Sequence, residues 1–222
     1  MLIAASAPAA AQLGGSVTLS SEARLRGRPI SDHRPVARLE LDHDSASGFY
    51  VGGSAAIVVT RDEGIRPFAY TQYAGFTHRV AGSTAIDAGL VHNGYSEYSG
   101  VAGGGSYTEA YVGLVGPQLS ARLYLSPGYF RKDEPTLYME VDGHVDIGRN
   151  GLLFAHVGRL TYLRDHPGRA RAASTDWRIG LRRRLGTVDL EAAWTGYAHD
   201  EGYYGARIRT GSTMLVALAF GF

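Results

Sequence analysis

Charged residues recur at spacings of two or four along short segments of this chain. Glu22 and Arg24, Arg38, Glu40 and Asp42, Glu140 and Asp142, and Arg178 and Arg182 are examples. Even spacing puts side chains on one face of an extended strand. A face carrying both charge signs, enclosed by a barrel, lines an aqueous path and selects ions electrostatically. Otherwise the charges pair and fill the interior as a polar plug. Arg182 and Arg184 precede a short turn, and Asp189 and Glu191 follow it. One hairpin register sets Arg184 opposite Asp189 and Arg182 opposite Glu191, each such pair contributing roughly 0.2–1 kcal/mol. The candidate lumen residues are Glu22, Arg24, Arg38, Glu40, Arg122, Glu140, Asp142, Arg178, Arg182 and Glu191.

Arg164, Arg169 and Arg171 form a second group, continued by Arg178 and Arg182. Guanidinium groups bind phosphate bidentately. Lipopolysaccharide phosphates or an anionic solute at a pore mouth would fit, and so would a solvated loop. His156 is a third candidate. If Arg159 marks the inward face of its segment, His156 faces outward into lipid, as a lipid hydrolase acting on the membrane would require. No serine is evidently placed beside it, and a phase slip or bulge that turns it inward is the preferred reading. Acidic and histidine neighbours such as Asp42-His43-Asp44 and His199-Asp200-Glu201 alternate faces on a strand and make poor chelators. The run Gly103-Gly104-Gly105 lacks the lysine of a phosphate loop. No Gly-x-Ser-x-Gly elbow is present. No catalytic residue, metal site or cofactor is expected.

Twelve alternating segments must position these residues. They are predicted at 16–26, 36–43, 48–59, 67–78, 84–92, 107–115, 118–126, 137–147, 152–163, 175–184, 188–198 and 212–222. Period-two alternation is the primary strand signal. In the eighth segment Met139, Val141, Val145 and Ile147 oppose Glu140, Asp142, His144 and Asp146. The fourth is aromatic on both faces, and the ninth is apolar on both. Alternation alone permits a soluble sandwich. The connections decide otherwise, because they alternate between short turns and longer loops, including an expected longer loop over 60–66. Outer-membrane barrels sort their connections this way, with tight periplasmic turns and longer outer loops.

Composition narrows the class. Charged residues are 19% and hydrophobic residues 45%, so disorder is excluded. Mean hydropathy is −0.11, and no stretch approaches the roughly 18 apolar residues of a membrane helix. The net charge of +1 gives no electrostatic case for nucleic acid. Cysteine is absent, and tyrosine outnumbers phenylalanine 14 to 7. Residues 1–11 resemble the apolar core of a secretory signal, with Ala9-Ala10-Ala11 as an A-x-A site, so the mature chain is expected to begin near Gln12.

The segment from Val17 to Ser54 resembles a TorF-like proteobacterial porin family. The matching residues are Leu19-Ser20-Ser21, Arg26-Gly27, Ile30-Ser31, Pro35 and Gly48-Phe49-Tyr50-Val51-Gly52. Glu22-Ala23 replaces the Asp-Tyr pair of that pattern, and Arg28-Pro29 is extra. The resemblance implies an outer-membrane barrel with porin-like activity and no catalytic residues.

The expected fold is all-β, a single up-and-down antiparallel transmembrane barrel over 12–222. The expected site is the outer membrane of a Gram-negative bacterium, and the expected activity is passive passage of small hydrophilic solutes or ions. The alternatives are a plugged barrel acting through its loops, or a lipid hydrolase. The expected partners are the bilayer, lipopolysaccharide and small solutes, without nucleic acid.

Overall fold

The computed structural model describes residues 12–101, 104–164, 173–201 and 207–222. In chain order the strands are β1 (Gln12–Ser20), β2 (Arg24–Leu25), β3 (Arg28–Pro29), β4 (Val36–Asp44), β5 (Phe49–Thr60), β6 (Gly64–Ala81) and β7 (Thr84–Tyr95). They continue with β8 (Gly105–Val115), β9 (Leu119–Ser126), β10 (Thr136–Ile147), β11 (Gly151–Tyr162), β12 (Ala173–Leu185), β13 (Val188–Glu201) and β14 (Arg207–Gly221). Twelve of them close a barrel in which each strand pairs antiparallel with its sequence neighbour, and β1 seals the ring between β4 and β14. Leu19 stands opposite Ala37 on one side and Leu218 on the other. No helix of the described residues is long and apolar enough to cross a membrane; this barrel would cross with strands.

The apolar face points outward. Leu41, Leu90, Leu114, Leu123, Val145 and Leu181 are all exposed, while Asp87, Glu109, Arg122, Asp176 and Glu191 are buried. A barrel that folds in water buries the opposite face; this polarity needs an apolar solvent outside.

Connections sort by end. One end carries tight turns over 45–48, 82–83, 116–118, 148–150 and 186–187. The other carries longer loops, among them 21–35, 96–104 and 127–135. The exception is 61–63, where a longer loop was expected. The Glu63 amide donates to Thr60 Oγ1 at 3.1 Å and Gly64 takes φ 72°, so the turn closes in three residues.

Three strand readings are corrected. The first wall strand ends at Ser20, not Arg26. The fourth changes phase within itself. Ala56 pairs with Ala69 but Ile57 pairs with Pro67, leaving Phe68 as an extra residue. Ile65 points out before this bulge and Tyr70 points out after it, so aromatics occupy both parities. The ninth has the opposite phase to that expected: Leu153, Val157 and the exposed Arg159 face outward, and His156 faces inward. Its inner face is apolar where Leu160 packs under tyrosines, so alternation carried no signal there.

Past Ser20 the chain turns into the lumen. The Ser21 amide still donates to Val216 O at 2.9 Å. Residues 22–31 then form a hairpin strap, with β2 paired to β3 through a two-residue turn. Arg26 (φ 48°) and Gly27 (φ 74°) are both left-handed, the requirement of a type I′ hairpin. Ala23 and Ile30 pack on Val36, Ala56, Val58 and Phe68, the inward apolar positions of β4 to β6.

Candidate functional site

The strap divides the lumen. On its turn side lies a cavity of about 1110 Å³, lined from Gln118, Arg149, Arg184 and Asp189 near the turns up to Arg24, Arg26 and Gly27. On its loop side is a smaller cavity of about 430 Å³, lined by residues that include Pro29, His33, Arg34 and Tyr98. The two share no lining residue.

The strap is fixed at both ends. At its base the Ala23 amide donates to Ser31 Oγ at 2.9 Å, and Ser31 Oγ donates to Arg34 O at 2.8 Å. Arg34 Nη2 donates to Tyr98 O at 2.9 Å. At the tip Arg26 Nη2 donates to both carboxylate oxygens of Glu109 on β8, at 2.6 and 2.7 Å. Its guanidinium also lies 4.1 Å from the Tyr138 ring centre, 4.8 Å from Tyr129 and 5.8 Å from Tyr107. Burial opposes the Arg26 charge, and the Glu109 carboxylate offsets it. A Cβ on Gly27 would come within 2.6 Å of both Asp176 Cβ and Gly196 O, so the turn touches the β12–β13 wall. The strap therefore reaches from β1 across to β8, β10 and β12.

Below the tip the wall carries a connected polar network. Arg122 Nε donates to Asp87 Oδ2 at 3.0 Å, and Arg122 Nη1 lies 4.0 Å from Glu140. Tyr124 donates to Glu140 at 2.9 Å, and Tyr50 hydrogen-bonds both Asp87 and Tyr111. His156 Nδ1 meets Asp142 at 2.8 Å and Nε2 meets Asp176 at 3.0 Å. A ring with a proton on each nitrogen donates to both carboxylates. Tyr138 donates to Asp176 at 3.3 Å while its ring faces Arg26, so it joins this network to the strap. Tyr138 lies against Gly158 of the neighbouring strand, where a side chain would collide with its phenol.

On β12 and β13 the hairpin adopts the register read from the sequence, Arg182 opposite Glu191 and Arg184 opposite Asp189. Arg182 Nη2 donates to Glu191 at 2.8 Å, and Arg184 donates to Asp189 through Nε and Nη2, both at 2.9 Å. Arg178 shares the Glu191 carboxylate, and Phe154 sits 5.2 Å from Arg178 and 5.6 Å from Arg182. Two guanidiniums thus share one carboxylate on this side. Two carboxylates share one imidazole beside it.

Of the other residues singled out from sequence, Arg38 is exposed on the inner face of β4, and Glu40 accepts from Tyr73 at 3.2 Å. Glu22 and Arg24 are not on the wall. They pair with each other at 2.6 Å within the strap, because the chain has already left the sheet. Arg164 is exposed at the loop end; Arg169 and Arg171, like the signal-like segment 1–11, lie outside the described residues. Glu140, Asp142 and His156 offer ligand atoms within 4.8 Å of one another, a grouping the sequence hid because the phase of β11 was reversed.

A family profile matches residues 4–220. The chain belongs to the Gcw_chp family, bacterial proteins of unknown function. A search of curated proteins found no match. Among solved structures the chain is similar to the KdgM porin, with 11% identity, TM-score 0.51, and 94% of this chain and 99% of that one covered. It is similar to the NanC porin at 10% identity and TM-score 0.56, covering 94% and 99%. It is also similar to an outer membrane channel from Pseudomonas putida F1 at 11% identity and TM-score 0.53, covering 98% and 97%. At these identities the likeness is one of fold: this Gcw_chp chain shares the barrel of outer-membrane porins and channels.

Proposed function

We propose that this protein is a porin-like channel of the Gram-negative outer membrane, allied to the TorF-like porins. Small hydrophilic solutes or ions would diffuse passively through its charged lumen. The observation that carries this reading is a closed barrel, apolar outside, whose interior holds a large ion-paired cavity on the turn side. The turns would face the periplasm and the loops the exterior. β10 presents Glu140, Asp142 and Asp146 to the cavity, and β12 presents Arg178, Arg182 and Arg184. Two strand spacings of about 4.8 Å separate the two rows, so they flank β11 on one side of the lumen, where a passing ion would meet side chains of both signs. Arg164, Arg169 and Arg171 remain candidates for lipopolysaccharide phosphates or an anionic solute. Mechanism would be steric and electrostatic, without a covalent step.

A lipid hydrolase reading rested on an outward His156, and His156 instead contacts Asp142 and Asp176 inside the barrel. The plugged barrel, acting through its loops, is favoured by one observation, the buried strap. Planar-bilayer conductance of the refolded chain from Gln12 to Phe222 separates the two. Discrete steps whose cation-to-anion preference moves toward cations in Arg182→Glu support the channel. A silent membrane, with a heat-modifiable gel shift showing folded barrel, overturns it.

A further inference from the structure

Resting on that channel reading, we infer that the strap of residues 22–31 is the barrier that decides whether a solute passes, and that Arg26 is the residue that holds it shut.

The strap stands where a through-path would run. Its base is packed as in a core, with Glu22, Ala23, Ile30 and Ser31 at 5%, 8%, 7% and 0% exposure, while residues 24–27 and 29 are half-buried and Arg28 is exposed. It belongs to no wall strand. β1 pairs with β14 through Ser20 and with β4 through Ser20, so the barrel closes without it. A segment that the ring does not need, and that fills the ring's bore, sets the bore.

The two anchors differ in kind. The base is apolar, Ala23 and Ile30 on Val36, Val58 and Phe68, and a hydrogen bond from the Gly100 amide to Ile30 O ties it to the 96–101 segment. This end is the hinge. The tip is held by a charge. Arg26 is the strap's contact to Glu109, and the same guanidinium is caged by Tyr107, Tyr129 and Tyr138. Glu109 is 3% exposed and stands on the far wall. Removing one partner of such a pair leaves the other charge buried and unpaired. Without Arg26, the Glu109 carboxylate would gain by letting water in, which means lifting the tip off β8 and β10. Arg24 does not duplicate the latch, because its hydrogen bonds go to Glu22 and to Gly27 O within the strap.

The test compares three refolded barrels in planar bilayers: the unaltered chain, Arg26→Ala, and a chain in which residues 22–33 are replaced by a short glycine-serine turn. Folding of each is checked by heat modifiability. A second readout uses the absence of native cysteine. Leu25→Cys, partly buried beside the tip, is labelled by a water-soluble maleimide with and without Arg26→Ala. The expected result is a several-fold larger conductance in the turn replacement, an intermediate or more frequently open state in Arg26→Ala, and faster labelling of Cys in the Arg26→Ala background. Equal conductance in all three overturns the strap as barrier and leaves the channel reading standing. A larger conductance in the turn replacement, with Arg26→Ala unchanged in conductance and labelling, overturns Arg26 as the latch. Silence of the unaltered folded barrel overturns the channel reading and leaves the strap a plug.

Discussion

Near its loop end the barrel interior is packed like a soluble core, with Val58, Phe68, Ser31 and Thr136 at 0% exposure. Toward the turn end β12 holds arginines that keep much of their side-chain surface open, 36% for Arg182 and 60% for Arg184. Both regions use ion pairs, and geometry is good in both. What differs is water. Arg26 and Glu109 have side-chain exposures of 9% and 3%, so each depends on the other for its solvation. Arg184 and Asp189 have water as an alternative partner. The comparison teaches that charge in this lumen does two jobs: on the loop side it fastens a strap, and on the turn side it dresses a cavity.

The difference can be broken at four positions, each read as the urea unfolding midpoint and free energy of the barrel in lipid vesicles. Arg26→Ala should be the most damaging, about 3–5 kcal/mol, because Glu109 is left buried without its partner. Restoring much of that loss in Arg26→Ala with Glu109→Gln would show that the stranded charge was the cause. Phe68→Ala should cost about 3 kcal/mol by emptying the site under the strap's base; a loss below 1 kcal/mol would mean the base packs loosely. His156→Ala should cost about 1–3 kcal/mol, since Asp142 and Asp176 each lose a hydrogen bond. Arg184→Ala, on the open side, should cost under about 1 kcal/mol, as exposed pairs do. A cost as large as that of Arg26→Ala would erase the distinction between the two regions.

Legibility followed the same division. Where one face of a strand meets water and the other an apolar surround, alternation reads true. β10 and the β12–β13 hairpin came out in phase and in register, down to Arg182 opposite Glu191. Where the inner face is dry, alternation fails. β11 carries Phe154 and Leu160 inward as well as Leu153 and Val157 outward, and the one charged side chain, Arg159, points out beside Thr175. Reading Arg159 as inward set His156 outward unless the strand slipped phase; the phase is the slipped one, and His156 contacts Asp142 and Asp176 inside. On β6 the bulge at Phe68 swapped parity within a single strand. The strap was hidden for a third reason. Glu22 and Arg24 keep the spacing of a strand, and only two residue pairs of β2 and β3 follow, too few to announce a hairpin. The apolar residues at inward positions, Val36, Val58 and Phe68, were the available signal that something packs inside.

The sequence by itself determined the class of barrel, its twelve strands and, where the inner face of a strand is polar, which side points outward, because each follows from local alternation and turn chemistry repeated along the chain. Tertiary structure alone decided what occupies the bore. The contact of Arg26 with Glu109 joins residues 83 apart in sequence, and whether a charge is buried or bathed in water depends on which distant segment folds over it.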